Sequence, residues 1–169
     1  AEGVPSLAST RDLGYASGAI AGISVENGKV IGVETRERFD AHRLIEECMI
    51  QANVCAAETL EQARLNLIYR VHEPPSAEKL EALADFLDTL DMTWAKGETV
   101  RTERFNRLLE RAKGTPHYAT INEVVLRTQS QAVYATDNQG HFGLNLRRYA
   151  HFTSPIRRYA DLVVHRALI

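Results

Sequence analysis

The sequence predicts a mixed, helix-rich α+β fold, and three observations carry that prediction. Apolar residues recur at helical spacing in several segments. Short apolar or alternating segments lie between them, and Asn, Gly and Pro turn signals separate the two kinds. Hydrophobic residues make up 44% of the 169 residues, which is enough for a real core. This length allows one ordinary domain or a large piece of a bigger one.

The first third of the chain predicts a tail, a hairpin turn, a strand and a long helix. Residues 1–22 are small, polar and glycine-rich, so we expect a loop or tail there. Asn27-Gly28 is a hairpin-turn signal, and the alternation from Lys29 to Phe39 predicts a strand. Asp40 can cap a helix over residues 41–64. The apolar stripe of that helix comprises Ile45, Met49, Ala52, Ala56 and Leu60.

The middle of the chain predicts two short strands and three shorter helices. Leu67–Val71 and Ala132–Ala135 are the strand candidates. Ser76 caps a second helix, a third helix ends at Gly114, and Thr115-Pro116 is typical of a cap followed by a first-turn proline in a fourth. The residues expected to face inward are Leu80, Leu83, Leu87, Leu90, Phe105, Leu108, Leu109, Tyr118, Ile121 and Val125.

Charge is distributed unevenly along the chain. The net charge is −2, but the last 29 residues contain five arginines and a single acid, and so carry +4. The first 140 residues therefore carry about −6. A local basic patch on an acidic body favours an anion site over a general coat for polyanions.

The two cysteines and the hydropathy bear on the compartment. Cys48 and Cys55 are seven residues apart in the long predicted helix, roughly 10 Å along its axis, which is too far for a disulfide. We expect buried or half-buried thiols in a reducing, cytoplasmic compartment. No apolar run approaches the roughly 20 residues of a membrane span, so we expect no membrane partner.

The arginine-rich end of the chain is the best candidate for chemistry. Ser154 as N-cap and Pro155 in the first turn predict a final helix with Arg157 and Arg158 in its first turn. Free backbone N–H groups and the positive dipole end already favour an anion there, and arginine is unfavourable to that dipole. Two arginines at such a position commonly have an anion partner. Asp161, one turn on, can pair with either arginine.

Blander interpretations stay open for each of these residues. A surface helix with an ordinary Arg–Asp pair explains the two arginines and Asp161 equally well before any family is considered. His151 and His165 are more often structural hydrogen-bonding groups than catalysts. Tyr149 and Phe152 can stack bases, but core packing is the commoner role for such residues. The pairs and triplets of acids elsewhere, Glu46-Glu47 and the aspartates at positions 85, 88 and 91, suit a helix dipole and a solvated helix face.

The run from His151 to Arg166, HFTSPIRRYADLVVHR, resembles the signature of the ribonuclease II/ribonuclease R family, the RNB catalytic domain. Two more segments resemble the same family in the same order, DAHRLIEECMI from Asp40 with Ala52-Asn53-Val54 after it, and LIYRVHEPP from Leu67. The likeness is greatest to the bacterial ribonuclease R branch. It covers residues 29–169, and residues 1–28 match poorly.

The resemblance implies an incomplete RNB-type catalytic domain that hydrolyses single-stranded RNA processively from its 3′ end, with Mg²⁺, to nucleoside 5′-monophosphates. By position, Arg157 matches the arginine that contacts the phosphate at the scissile end. Glu47 matches a glutamate near the terminal nucleotides. Arg158, Tyr159 and His151 stand at signature positions that the resemblance places near the RNA, and Asp161 and His165 at supporting ones.

This sequence departs from the family pattern in its metal ligands. The family's closely spaced aspartates lie upstream of the matched region, and nothing like them occurs here. We therefore expect the C-terminal part of a domain, truncated at both ends, that binds no metal and is inactive alone. A non-catalytic RNA-binding module and a helical interaction domain for an acidic partner are the alternatives. A truncated domain leaves apolar surface exposed, so self-association is also expected.

Overall fold

The computed structural model describes residues 21–26, 29–35, 39–95, 97 and 100–169. Within these ranges the chain forms two two-stranded antiparallel sheets and five α-helices. The helix-rich α+β prediction is therefore confirmed.

The first sheet is a hairpin of β1 (Ala21–Glu26) and β2 (Lys29–Thr35). Its register pairs Glu26 with Lys29, as a two-residue turn requires, although Asn27 and Gly28 themselves lie outside the described residues. The strand predicted from Lys29 is confirmed and ends earlier, at Thr35. The loop predicted for 1–22 was wrong at its end, because β1 begins at Ala21. Residues 1–20 lie outside the described part of the chain.

The long helix α1 spans Asp40–Gln62, but its cap and half of its apolar stripe differ from the prediction. Phe39 occupies the N-cap position and its N–H donates to Nδ1 of His42 at 3.1 Å, so Asp40 is already inside the helix. Leu60 is buried, whereas Ile45 is 60% exposed and Met49 is 40% exposed. The stripe therefore packs into the core only in the second half of the helix.

The first core joins α1 to the end of the chain. β3 (Tyr69–Val71) pairs with β4 (Val133–Ala135), and α5 (Tyr159–Leu168) packs against α1. Its buried residues are Ala56, Ala57, Leu60, Leu67, Tyr69, Val71, Ala150 and Val164. This core fixes the position of the arginine-rich segment against α1.

The second core is formed by α2 (Ala77–Asp88), α3 (Thr102–Ala112) and α4 (Tyr118–Thr128). The predicted Ser76 cap is confirmed, since its hydroxyl accepts from the N–H of Lys79 at 3.4 Å. The predicted Thr115 cap was wrong, because that hydroxyl donates to the carbonyl of Ala112 and so closes α3, while His117 takes the N-cap position of α4. The buried apolar residues are Leu83, Leu87, Phe105, Leu108, Leu109, Ala112, Ile121 and Val125.

A row of aromatic rings connects the two cores. The centroids of Phe105 and Phe142 are 6.4 Å apart, those of His72 and His141 5.1 Å, and those of His141 and Tyr149 5.2 Å. His72 also contacts Phe142, at 6.1 Å. Because Phe105 belongs to the second core and Tyr149 lies beside the first, this row couples the helical layer to the arginine-rich segment.

Gly143 is required at this joint. Its N–H donates to Nδ1 of His72 at 2.9 Å, and a Cβ at this position would lie 2.7 Å from the same nitrogen. Any side chain here would displace the imidazole, so only glycine lets the backbone approach so closely.

Two further findings bear on the sequence predictions. Cys48 and Cys55 are free thiols and both are exposed, so the expectation that they are buried was wrong. In the described ranges no helix is long and apolar enough to cross a membrane.

Candidate functional site

Asn53 of α1 holds residues 149–152, which precede the turn that contains Arg157 and Arg158 (the arginine turn). Its side-chain amide donates to the hydroxyl of Tyr149 at 2.9 Å, and its carbonyl oxygen accepts from the backbone N–H of Phe152 at 2.8 Å. The side chain is only 3% exposed. Because the Asn53 side chain is buried and bonded at both ends, it fixes where residues 149–152 cross the helix.

The arginines lie in a separate turn before α5, not inside that helix. The N–H groups of Arg157 and Arg158 both donate to the carbonyl of Ser154, and Arg158 is the N-cap residue with an extended backbone. The predicted helix start at Ser154-Pro155 was therefore wrong, because the turn closes on itself before the helix begins at Tyr159. The consequence is that Arg157 precedes the helix and projects from a turn.

Asp161 is fully buried in the first turn of α5 and binds Arg158. Its two oxygens accept from Nε and Nη2 of Arg158, each at 2.8 Å, and one of them also accepts from the N–H of Ser154 at 2.7 Å. Burial by itself raises the pKa of Asp161, but the hydrogen bonds from Arg158 and Ser154 outweigh it and hold that pKa below its ordinary value. Asp161 is thus an ionised anchor for the turn.

Arg157 is left available to a ligand. It is exposed, and in the described part of the chain it makes no ion pair. The sequence left open which arginine Asp161 would pair with, and the structure shows that it is Arg158. Asp161 consequently orients Arg158 and the turn, and Arg157 keeps its whole guanidinium fork for an anion.

His151 lies among the positive charges of the site. Its Nδ1 is 2.8 Å from the hydroxyl of Tyr134, which stands on β4. Burial, the largest cause, and the charges of Arg158, Arg70 and Arg157 together lower the pKa of His151 to about 4, against the opposing effect of Asp161. Three guanidinium groups therefore act on an imidazole that is neutral at pH 7.

His165 supports the segment from the other side. Its Nε2 lies 2.8 Å from the carbonyl oxygen of Phe152, and the two rings are stacked with centroids 4.2 Å apart. Asn53 and His165 thus hold the N–H and the carbonyl of the same residue. This geometry fits the supporting position that the sequence suggested for His165.

The remaining predicted site residues, Tyr159 and Glu47, lie outside the hydrogen-bonded residues described above. Tyr159 is 71% exposed and, with Arg158, lines a shallow cavity of about 370 Å³. Glu47 is half-buried in α1, six residues before Asn53, which is about 9 Å along the helix axis. The residues that line the cavity are Ile68, Tyr134, Arg158, Tyr159 and Ala160.

Sequence reasoning missed Asn53, Tyr134 and Arg70 as parts of this site. A polar Asn53 among the apolar positions of a helix is a local signal for a buried hydrogen bond, but its partners lie 96 and 99 residues away. Tyr134 and Arg70 are directly opposite each other on β4 and β3, a pairing that only the sheet register shows.

The described residues do not supply a site for Mg²⁺. Among them there is no group of three or more His, Cys, Asp or Glu side chains that could hold a metal ion. Asp161, the carboxylate nearest the arginine turn, has its oxygens committed to Arg158 and Ser154. We therefore derive no step through a metal.

Residues 10–169 match the model of the RNB domain, and the chain belongs to that family. The match includes residues 10–28, to which the resemblance seen in the sequence motifs did not extend. Among curated relatives, ribonuclease R of Vibrio cholerae serotype O1 is 47% identical over 140 residues, which are 83% of this chain and 17% of the relative. The chain thus spans less than a fifth of the length of that relative.

Solved structures agree with this assignment. Ribonuclease R of Mycoplasma genitalium in complex with ribose-methylated single-stranded RNA has a TM-score of 0.78 and 34% identity, over 88% of this chain and 23% of that one. Yeast Ssd1, described as a pseudonuclease, has a TM-score of 0.66 and 26% identity, over 98% of this chain and 20% of that one. The fold is therefore shared by a ribonuclease and by a relative described as a pseudonuclease.

Proposed function

We propose that this chain is the C-terminal part of the RNB catalytic domain of a processive 3′→5′ exoribonuclease, which hydrolyses single-stranded RNA to nucleoside 5′-monophosphates. The observation that carries the proposal is that the two arginines of the turn differ in their contacts. Asp161 neutralises Arg158, and Arg157 beside it is exposed without an ion pair among the described residues. A free, planar guanidinium next to a fixed one suits the phosphate at the scissile end.

The other site residues fit RNA contacts around that phosphate. Tyr159 offers an exposed ring, and stacking on aromatic rings is how single strands are held without sequence preference. Arg158 lines the same cavity as Tyr159, and His151 supplies a neutral imidazole beside the arginines. Glu47 would contact the sugar of a terminal nucleotide, where a carboxylate can accept from a 2′-hydroxyl.

The whole protein would also need Mg²⁺ to activate water and to stabilise the leaving oxygen. The described residues do not supply that ion's ligands. We infer that the chain binds RNA without cleaving it, while the full-length protein degrades it. We further propose a cytoplasmic location, where exposed thiols such as Cys48 stay reduced.

A non-catalytic RNA-binding protein is the second candidate. The likeness to yeast Ssd1, described as a pseudonuclease, favours it, because the same fold occurs there under that description. Both candidates need the phosphate contact at Arg157. They differ only in whether the full-length protein turns RNA over.

The test uses 5′-labelled single-stranded RNA with Mg²⁺, the full-length protein and the isolated chain. An exoribonuclease shortens the RNA progressively and releases nucleoside 5′-monophosphates, and Arg157→Ala in the full-length protein slows this by at least about 100-fold. Arg127→Ala, at an exposed ion pair with Glu123, leaves the rate unchanged. RNA that binds the full-length protein but stays intact would establish the pseudonuclease alternative.

A further inference from the structure

Arg70, Tyr134 and His151 form a contiguous polar wall beside the arginine turn. Arg70 and Tyr134 are cross-strand partners in the β3–β4 pair, and the guanidinium of Arg70 lies 4.8 Å above the centroid of the Tyr134 ring. The Tyr134 hydroxyl is 2.8 Å from Nδ1 of His151. Each side chain therefore fixes the next one in the row.

The backbone holds this wall against the arginine segment. The N–H of Arg70 donates to the carbonyl of Tyr149 at 2.8 Å, so β3 lies between β4 and the segment that leads to the turn. The rings of Tyr149 and His151 are 5.8 Å apart, and that of Tyr149 is buried. These contacts set the wall at a fixed distance from Arg158, which lines the same cavity as Tyr134.

The charges around His151 favour an anion. Arg70, Arg157 and Arg158 all act on His151, and the acid that acts on it is Asp161, which is already bound to Arg158. The group therefore has a surplus of positive charge, and two aromatic residues, Tyr134 and Tyr159, border it. Of these residues, Tyr134, Arg158 and Tyr159 line the cavity of about 370 Å³.

We propose that Arg70, Tyr134 and His151 bind a second phosphate group, one nucleotide away from the phosphate at Arg157, with the intervening base against Tyr134 or Tyr159. Arg70 supplies the charge, and Tyr134 positions both Arg70 and His151. The inference rests on the proposed function, because it assumes that Arg157 contacts RNA. It adds residues from a different part of the chain, β3 and β4, to that contact.

The state of His151 reports on the occupant. The groups that act on it are the guanidinium groups of Arg70, Arg157 and Arg158 and the carboxylate of Asp161, with the Tyr134 hydroxyl in direct contact. A phosphate between the arginines offsets their repulsion, so the pKa of His151 rises above about 4 when the ligand binds, while burial continues to hold it below its ordinary value. A ligand bound elsewhere would leave that pKa where it is.

The experiment measures binding and the His151 imidazole resonances in the 169-residue chain. The ligands are adenosine 5′-monophosphate and a short oligoadenylate without a terminal phosphate, which separate a free phosphate monoester from a backbone phosphate. Arg70→Gln weakens binding of the oligoadenylate about tenfold or more, while Arg70→Lys retains most of it because the charge remains. Arg127→Gln is the control for the loss of one exposed arginine.

Tyr134→Phe tests the positioning role separately. This variant removes the hydroxyl that contacts His151 but keeps the ring below Arg70, and so reduces the ligand-dependent rise in the pKa of His151. Thermal unfolding of each variant checks that the chain is folded. If Arg70→Gln unfolds, the ligand-dependent shift of the His151 resonances in the unchanged chain still decides, because the inference requires it.

The outcomes separate this inference from the proposed function. If Arg157→Gln weakens oligoadenylate binding while Arg70→Gln behaves like Arg127→Gln, and the His151 resonances do not move, the second phosphate site is wrong and the proposed function stands. If Arg157→Gln has no effect, the proposed function itself fails. Binding of the monophosphate but not of the oligoadenylate would also contradict the inference, because the site would then hold a free nucleotide and not RNA.

Discussion

The carboxylate of Asp161 accepts from Nε and Nη2 of Arg158 at the same distance, 2.8 Å, while the side chain of Asp161 is fully buried. The Arg158 side chain is 22% exposed. This pair is the link between α5 and the turn that carries Arg157. The negative charge of Asp161 is needed as well as the shape of its side chain, because Arg158 would otherwise lose its counter-ion.

Asp161→Asn removes that charge at nearly constant volume. We expect the free energy of unfolding to fall by about 2–3 kcal/mol, below the roughly 3–5 kcal/mol typical when a buried pair is broken, because Arg158 reaches solvent. Urea unfolding measures it. Asp40→Asn is the matched control, since its pair with Arg43 is exposed. Equal stability of the two variants would show that the Arg158 pair is not an anchor.

Asn53→Ala removes the acceptor of the Phe152 N–H and a donor to the Tyr149 hydroxyl. A buried N–H without an acceptor is costly, so we expect a loss of about 2–3 kcal/mol in the same measurement. Gln51→Ala, at an exposed position of the same helix, should cost far less. An Asn53→Ala chain as stable as the Gln51→Ala chain would mean that water replaces the amide.

Stability should decrease in mild acid because folding lowers the pKa of three histidines, His72, His141 and His151. Burial lowers the pKa of His141 to about 3 and also lowers that of His72. A group whose pKa is lowered by folding takes up a proton on unfolding, so its contribution is complete above its ordinary pKa of about 6.5 and is lost as the pH falls toward the folded value. The free energy of unfolding should therefore fall between pH 6.5 and pH 4, with a slope that approaches about 1.4 kcal/mol per pH unit from His141 and a further contribution of the same sign from His72 and His151.

The control for this pH dependence is His141→Gln. It removes one titrating ring from the joint between the two cores, and urea unfolding across the same pH range should give a shallower dependence. A slope identical to that of the unchanged chain would show that His141 is not the group that titrates.

The first half of α1 should cause the isolated chain to self-associate. Leu44 is 63% exposed and Ile45 60% exposed, beside exposed Phe39 and Met49. Exposed apolar patches of this kind are typical of interfaces. Sedimentation velocity of Ile45→Lys should show a shift toward the monomer, whereas Leu126→Lys, at an exposed leucine of α4, should not change the distribution. A chain that is monomeric before substitution would contradict this prediction.

Local patterns predicted the elements better than their ends. Helical spacing and turn residues correctly indicated the helices, and Ser76 capped α2 as expected. Ser154-Pro155 gave an equally good local signal and was wrong, because the buried Asp161 draws the N–H of Ser154 and the Arg158 side chain to itself and so forms a separate turn. A capping pattern does not show such a competing carboxylate seven residues on.

The candidate site could be predicted only where one segment contains it. Arg157, Arg158 and Asp161 lie within five residues, so their proximity follows from sequence. Asn53 and Arg70 reach the site through tertiary contacts with Phe152 and Tyr149, and no periodicity indicates such partners. The exposure of Cys48 could not be predicted for the same reason, because it depends on which residues pack against α1.

The role of Arg157 as the phosphate contact is tested most directly by the affinity of the isolated chain for single-stranded RNA. Fluorescence anisotropy at low salt measures this affinity for the unchanged chain, Arg157→Gln and Arg127→Gln. We expect Arg157→Gln to weaken RNA binding by about tenfold or more. Arg127→Gln should not weaken it, since Arg127 already has an exposed partner in Glu123. Equal affinities for all three chains would contradict the assignment of Arg157 as the phosphate contact.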